Sequence, residues 1–161
     1  MSKEKKGRTG VAASIALALA SLATTVQAAP DRAGEIARGR YVVVLGGCND
    51  CHTEAYAPQA GKVPERDWLL GSRLGYQGPW GTTYATNLRR YMQGLTADQW
   101  VQRARTIETR PPMPWFTLHA LKESDLRAMH AYIRSLGPVG EPAPAVLPPG
   151  QEAKGPVVRF P

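Results

Sequence analysis

The pentapeptide Cys48-Asn49-Asp50-Cys51-His52 decides how this 161-residue chain folds. It contains both cysteines of the chain, and their spacing lets one local turn of backbone bring the two sulfurs to the same edge of a bound group. His52 follows directly, so its imidazole reaches the same place. A C-x-x-C-H pattern is typical of c-type haem attachment, in which each sulfur forms a thioether with a haem vinyl group and the histidine binds the iron. We therefore predict one covalently bound haem c, held by Cys48, Cys51 and His52.

Two other chemistries use closely spaced cysteines. A disulfide between Cys48 and Cys51 would make the pentapeptide a thiol-exchange motif, but no βαβ pattern surrounds it. A zinc site would combine the two cysteines with a distant His119 or His130, but the chain has no second closely spaced pair of ligands. The adjacent histidine fits haem ligation better than either alternative.

The first residues have the pattern of an export signal. Four basic residues within the first eight positions precede an apolar run over 11–23, and Val26-Gln27-Ala28 supplies the small residues that precede cleavage. The apolar run is shorter than the ~20 residues that a spanning helix needs. We therefore predict a cleaved signal peptide over 1–28, no later membrane span, and a periplasmic protein that begins at Ala29.

Cleavage would leave 133 residues, which is the size of one domain. Sixteen of the 20 basic and 12 of the 13 acidic residues follow the signal, so the net charge of the mature chain is +4. No dense stripe of lysine and arginine appears, which argues against a nucleic-acid binder. A mild positive charge favours docking to acidic protein surfaces. We expect a haem domain over 29–138 and a Pro/Gly-rich tail over 139–161.

Capping residues and apolar spacing predict the main helices. Asp31, Thr96 and Ser124 each precede or open an apolar pattern of helical period, and Thr96 forms a capping box with Gln99. No segment alternates like a strand, and the Gly- and Pro-rich stretch over 53–81 is typical of a loop. We predict an all-α fold with helices over about 33–45, 97–106 and 124–136.

The iron of a six-coordinate haem needs a second axial ligand opposite His52. Met113 is our choice, because three prolines in Arg110-Pro111-Pro112-Met113-Pro114-Trp115 restrict the backbone that presents its sulfur. Met129 lies on an apolar helix stripe that is typical of a core, and His130 is expected to be exposed or capping. The rivals that remain open are Met92, Met129, His119 and His130.

The surroundings of the haem need further polar partners. The free ring N–H of His52 should donate to a backbone carbonyl, and Pro79 in the loop over 58–79 is the favoured acceptor. The haem propionates need hydrogen-bond donors. Candidates close in sequence are Arg73, Trp80, Tyr84 and Asn87.

Over residues 31–138 the chain resembles the class I cytochrome c family. The resemblance rests on the Cys48–His52 pentapeptide, the proline-flanked Met113 and a closing helix over 125–134. It implies a cytochrome c-like fold of three to five helices wrapped around one haem, with long Gly/Pro-rich loops, His/Met ligation and one-electron transfer.

Two details of the resemblance reach further. In that family the first and last helices cross with a small residue facing an aromatic one, and Gly39 with Tyr132 would match this. The segment Gly81-Thr82-Thr83-Tyr84-Ala85-Thr86-Asn87-Leu88 is similar to one in the cytochrome subunits of periplasmic dehydrogenases, which string several haem domains together. This chain has one haem motif.

These features predict an electron carrier that exchanges single electrons with redox proteins, with no catalytic residues of its own. One alternative is a haem subunit of a dehydrogenase complex, in which the tail would clamp a partner chain. Another is a haem protein that binds gas or peroxide at an open iron site, which requires that Met113 is not a ligand.

Overall fold

Six α-helices and a small sheet form the part of the chain described by this computed structural model, which covers Met1 and residues 31–161. The predicted signal peptide falls on residues outside that part. No helix within 31–161 combines the length and the apolar character needed to cross a bilayer. The elements are α1 (Arg32–Leu45), α2 (Cys48–His52), β1 (Gly75–Gly78), β2 (Gly81–Tyr84), α3 (Leu88–Gln93), α4 (Ala97–Thr106), α5 (Trp115–Ala120), α6 (Glu123–Ser135) and β3 (Val157–Arg159).

The predicted helix starts are confirmed to within one residue. The Asp31 carboxylate accepts a hydrogen bond from the backbone N–H of Ala33 at 3.1 Å. Thr96 and Gln99 accept each other's backbone N–H in a capping box, and α4 has the predicted bounds. The last helix begins at Glu123, one residue before the expected start. Helices α2, α3 and α5 were not predicted, because each is only five or six residues long.

Helices α1 and α6 cross in close contact at Gly39. A Cβ atom on this residue would lie 1.9 Å from the carbonyl oxygen of Ala128 and 2.7 Å from the Cβ of Tyr132. Glycine inside a helix costs about 1 kcal/mol relative to alanine. The close approach of the two backbones explains why the chain carries that cost here, and the expected contact between Gly39 and Tyr132 is confirmed.

The Glu65 carboxylate links three segments, namely its own turn, α1 and α6. Glu65, in a 3₁₀ turn, accepts a hydrogen bond from the Tyr132 hydroxyl at 2.7 Å and another from Arg40 Nε at 3.0 Å. The Arg40 guanidinium also lies over the Trp68 ring, 4.9 Å from its centre. Burial opposes ionisation of Glu65, but the two hydrogen bonds lower its pKa overall. The long loop after α2 is therefore fastened to both crossing helices.

The sequence predicted an all-α fold of three to five helices, whereas the described residues form six helices and one three-stranded sheet. Its strand order is β2-β1-β3, with β1 and β2 antiparallel and β1 and β3 parallel. Each strand has three or four residues, and glycines stand at three of the four ends of β1 and β2. Such short segments have no room for an alternating pattern, and the partner of β1 lies about 80 residues later in the sequence.

The tail over 139–161 is an extended strap on the surface of the helical body. Leu147 and Thr82 exchange two backbone hydrogen bonds of 2.9 and 3.0 Å. The Asn87 amide donates to the carbonyl oxygens of Val139 and Glu141 at 2.9 and 3.1 Å. At the end of the strap, the Phe160 ring packs against Trp80 with 5.5 Å between ring centres. The strap runs from α6 to the sheet and covers the edge of β2.

The α1–α6 crossing predicts a large cost for adding one methyl group. Gly39→Ala should lower the free energy of unfolding by about 2 kcal/mol or more, because the methyl group must push apart two backbones. Urea unfolding followed by circular dichroism measures this. Gly94→Ala is the matched control, since its added Cβ would lie 3.6 Å from the nearest atom. Equal stability of the two variants would contradict the packing described for Gly39.

The strap predicts an unusual cost for losing one helix cap. Asn87 caps α3 by accepting from the Arg90 N–H at 3.0 Å, while its amide holds the strap. Asn87→Ala should therefore destabilise the protein by about 2–3 kcal/mol. Thr96→Ala removes a cap that has no strap contact and should cost about 1 kcal/mol. Urea unfolding of both variants gives the difference, and a difference near zero would mean that the two strap hydrogen bonds contribute nothing.

Candidate functional site

One cavity of about 540 Å³ brings together the four residues that the sequence singled out. Cys48, Cys51 and His52 line it from α2, and Met113 lines it from the proline-rich loop before α5. Most of the remaining wall is apolar, and its residues come from α1, α3, α4, α5 and α6, from β1 and β2, and from the loops between these elements. Much of the hydrophobic core is therefore also the lining of this cavity.

The local fold explains why the pentapeptide presents its side chains together. Gly47 has φ +65°, a left-handed conformation that turns the chain sharply from the end of α1 into α2. In α2, Cys48 and His52 are four residues apart and Cys48 and Cys51 three apart. Side chains at these spacings lie on one face of a helix. A single helical turn thus supplies two sulfurs and one imidazole to the cavity.

His52 is held by a backbone carbonyl. Its Nδ1 lies 2.7 Å from the carbonyl oxygen of Thr86, and a carbonyl can only accept, so Nδ1 carries the proton and Nε2 is left as the electron-pair donor. Burial lowers the pKa of His52, which favours the neutral imidazole that metal binding requires. The prediction that Pro79 is the acceptor is wrong. Pro79 lies in the turn between β1 and β2, and the chain beyond β2 brings Thr86 to the histidine instead.

The cysteines do not have the properties of a thiol-exchange pair. Burial raises the pKa of the Cys48 thiol to about 12, whereas exchange requires a thiolate. The histidines proposed for a zinc site are engaged elsewhere: His119 Nε2 bonds to the Ile107 carbonyl and His130 Nε2 to that of Leu95. Within residues 31–161 no three His, Cys, Asp or Glu side chains are grouped to hold a metal ion.

The structure narrows the choice of a second sulfur or nitrogen ligand. His119 and His130 do not line the cavity. His130 was expected to be exposed or capping; it is buried, with 6% of its surface exposed, and its ring bonds to the Leu95 carbonyl just beyond the end of α3. Met92, Met113 and Met129 all line the cavity. Met92 and Met129 are buried in helices of the core, whereas Met113 is half-buried on the irregular loop.

Several polar residues of the cavity were not foreseen from the sequence. Tyr84 lines it as predicted, but Asn87 is occupied by the α3 cap and the strap, and Trp80 donates to the Tyr76 carbonyl. Two arginines that were not singled out, Arg103 and Arg110, contribute to the wall. Arg110 adjoins the proline-rich loop in sequence, which was the available signal. The lining polar residues that sequence reasoning did not assign to the site are Tyr76, Thr83, Thr86, Tyr91, Arg103, Thr109, Arg110 and Thr117.

The donor set and the walls fit a haem. Two thiols and a neutral imidazole share one helix face, the surrounding wall is apolar as a porphyrin ring requires, and a thioether lies in the same cavity. The Thr109 hydroxyl is a buried polar group of this wall that makes no hydrogen bond within the described residues, so it is free to serve a ligand. This combination of thiols, imidazole, thioether and unpaired hydroxyl around one apolar cavity is expected of a binding site and not of a core that packs only against itself.

Comparison with known proteins agrees with this chemistry. The chain is 26% identical over 120 residues to the fructose dehydrogenase cytochrome subunit of Gluconobacter japonicus, an alignment that covers 68% of this chain and 23% of that protein. It is 27% identical over 130 residues to a subunit of the nicotinate dehydrogenase of Pseudomonas putida, covering 70% of this chain and 10% of that protein. The chain thus spans about a quarter and a tenth of these relatives. No solved structure matches it significantly.

The family assignment rests on a match that covers most of the helical body. The family model described as Cytochrome c matches residues 36–137, from the second turn of α1 to the residue that follows the cap of α6. That range includes the whole cavity except the wall contributed by Val146 of the strap. The chain belongs to the cytochrome c family and is an electron-transfer protein with covalently bound haem c.

Proposed function

We propose that this protein is an exported, periplasmic monohaem cytochrome that carries single electrons between redox proteins. The observation that supports it is the convergence of Cys48, Cys51, His52 and Met113 on one largely apolar cavity. A bound haem supplies the Fe(II)/Fe(III) couple. Cys48 and Cys51 would attach it covalently, and His52 would bind its iron through Nε2, because the Thr86 carbonyl accepts from Nδ1.

Met113 is the proposed second axial ligand. Its thioether is a soft ligand that favours Fe(II), so His/Met ligation raises the reduction potential. Met92 and Met129 belong to α3 and α6 and fill the core, and moving either sulfur toward a metal would disturb helix packing. Met113 lies on a loop and not in a core helix, so its sulfur can bind a metal without disturbing helix packing. The prolines on either side restrict the backbone of this loop.

Hydrogen bonds to neighbouring segments restrain both His52 and the loop that carries Met113. The Thr83 hydroxyl donates to the carbonyl oxygen of Pro111 at 2.8 Å, which ties the methionine loop to β2. Two residues beyond β2, the Thr86 carbonyl holds His52. One short segment therefore restrains both sides of the site, which limits how far the ligands move when the charge of the iron changes. Small rearrangement favours fast electron exchange.

A haem subunit of a dehydrogenase complex is the second candidate. The names of the two relatives favour it, since both are subunits of dehydrogenases. Exposed apolar side chains beside α2 suit transient or lasting contact with a redox partner: Tyr41, Val44 and Leu45 end α1, and Leu45 is 71% exposed. Apolar and aromatic residues of this kind are enriched in the centres of protein interfaces.

The experiment that separates the candidates begins with the full chain, expressed with its proposed signal in a host that exports and matures c-type cytochromes. Mass spectrometry of the periplasmic fraction should show the mass of the chain that starts at Ala29 plus one haem. A purified monomer that exchanges electrons with unrelated redox proteins supports the carrier. Stable co-purification with one dehydrogenase supports the second candidate. Material without covalent haem would overturn both.

The ligand assignment predicts one spectroscopic change. Met113→Leu should abolish the far-red charge-transfer band that methionine ligation gives to ferric haem, because leucine has similar volume and no sulfur. Met92→Leu and Met129→Leu are the matched controls and should keep the band. Persistence of the band in Met113→Leu would refute the assignment. Its absence from the unmutated protein, together with rapid carbon monoxide binding, would favour the open-site haem protein.

The hydrogen bond behind the methionine loop predicts a change in ligand exchange. Thr83→Val keeps the shape of the side chain but removes the donor, at a cost of about 1 kcal/mol to the closed loop. The apparent constant for displacement of methionine by imidazole should therefore rise about fivefold, as measured by titration of the far-red band. Thr106→Val removes a similar bond, from Thr106 to the Gln102 carbonyl, within α4 and should leave the constant unchanged. Equal constants in the two variants would show that the Thr83 bond does not restrain the loop.

A further inference from the structure

Two arginines give the haem cavity its charge. Arg103 projects from α4 and Arg110 from the loop that leads to Met113, and both line the wall. Within the described residues, no aspartate or glutamate lines the cavity. The other lining side chains with an ionisable group are His52, two cysteines and three tyrosines. The cavity therefore presents positive charge without any balancing carboxylate.

The two arginines have most of their hydrogen-bonding capacity free. Arg103 Nε donates to the Tyr91 hydroxyl at a long 3.3 Å, and Tyr91 also lines the cavity. Among residues 31–161, neither Arg103 nor Arg110 forms an ion pair, whereas Arg38, Arg40 and Arg127 each pair with a carboxylate of another segment. The guanidinium groups at the cavity are thus available to an anion.

Thr109 provides a third, neutral group at the same place. Its hydroxyl is buried, lines the cavity and has no hydrogen-bond partner within the described part of the chain. Leaving a buried hydroxyl unpaired costs about 1–3 kcal/mol. Thr109 directly precedes Arg110, so a carboxylate that reaches one of these two residues is close to the other.

We propose that Arg103, Thr109 and Arg110 bind the propionate carboxylates of the haem. This rests on the covalent attachment at Cys48 and Cys51. The thioethers hold the vinyl-bearing rings of the porphyrin, and the two propionates extend from the other two rings. The segment from α4 to the methionine loop is separate from the cysteine helix and carries the cations. A guanidinium binds a carboxylate through two parallel N–H donors, which suits these residues to the task.

This assignment replaces three donors expected from the sequence. Arg73, Trp80 and Asn87 do not line the cavity. Arg73 offers its backbone N–H to the Glu54 carboxylate instead, which places it beside an acid. Proximity in sequence to the pentapeptide was therefore a poor guide, because the wall that carries the free cations comes from about 50 to 60 residues later.

The proposed contacts affect the reduction potential of the haem as well as its binding. A cation beside the propionates disfavours the more positive ferric state, so its removal lowers the reduction potential. It also keeps the propionate ionised, so its removal raises the propionate pKa toward the working range of pH. Below that pKa the propionate is neutral and the potential is higher. The potential of a variant should therefore fall as the pH rises through the raised pKa.

The test is a redox titration of the matured holoprotein at several pH values from weakly acidic to weakly alkaline. In Arg103→Gln or Arg110→Gln, the equilibrium constant for reduction at neutral pH should drop severalfold; a tenfold drop corresponds to about 59 mV for one electron. A new dependence on pH should appear as well. Arg103→Lys should restore the constant and remove most of the pH dependence, because the charge returns.

Arg73→Gln is the matched control, since it removes the same charge from a residue that does not line the cavity. It should leave both the constant and the pH profile close to those of the unmutated protein. The proposal is overturned if Arg103→Gln and Arg110→Gln behave as Arg73→Gln does while all variants retain covalent haem and the far-red band. Absence of covalent haem from the unmutated protein would instead reject the proposed function, and the two failures are therefore distinct.

Discussion

The close contact of α1 with α6 at Gly39 is the constraint on which the site depends. Because no side chain separates the two backbones there, α1 is fixed against the core, and its end at Leu45 determines where Gly47 turns the chain into α2. The two cysteines and His52 inherit their position from that crossing. A helix pair that could slide would present the same three side chains at a variable distance from the methionine loop.

Half of the twelve residues of the buried hydrophobic core also line the cavity. Val42, Leu118 and Ile133 are buried in the hydrophobic core and also line the cavity. Without a large apolar ligand, these side chains lose packing partners on one side, which weakens the fold. Binding of the cofactor and folding of the chain are therefore coupled. The high proportion of loop between α2 and α3 becomes understandable, since the loop needs the completed interior to pack against.

Sequence reasoning was strongest where a physical signal is local. The cap at Asp31 and the capping box at Thr96 involve residues within a few positions of each other, and they predicted α1 and α4. The spacing of the pentapeptide is equally local, and it predicted that Cys48, Cys51 and His52 lie together, as they do along one cavity. The family match covers the same region. The choice of Met113 over Met92 or Met129 stays a prediction, because all three sulfurs line the cavity.

Sequence reasoning failed where two residues that interact lie far apart along the chain. The sheet pairs Gly75 with Val157, the acceptor for His52 is Thr86 rather than Pro79, and the free cations of the cavity come from the segment after α4. None of these pairs leaves a mark in a short window of sequence. Two glycine-bounded strands of four residues have too few positions to display a period of two, so a loop was the better-supported prediction there.

The strap has a consequence for the order in which the molecule is completed. It supplies one strand of the sheet and, through Val146, part of the cavity wall, yet Val146 follows α2 by about 90 residues in the chain. Chains emerge from their N-terminus, so α2 is exposed long before the strap exists. The part of the cavity wall that Val146 supplies is therefore completed only after the helices that carry the rest of the wall have been made.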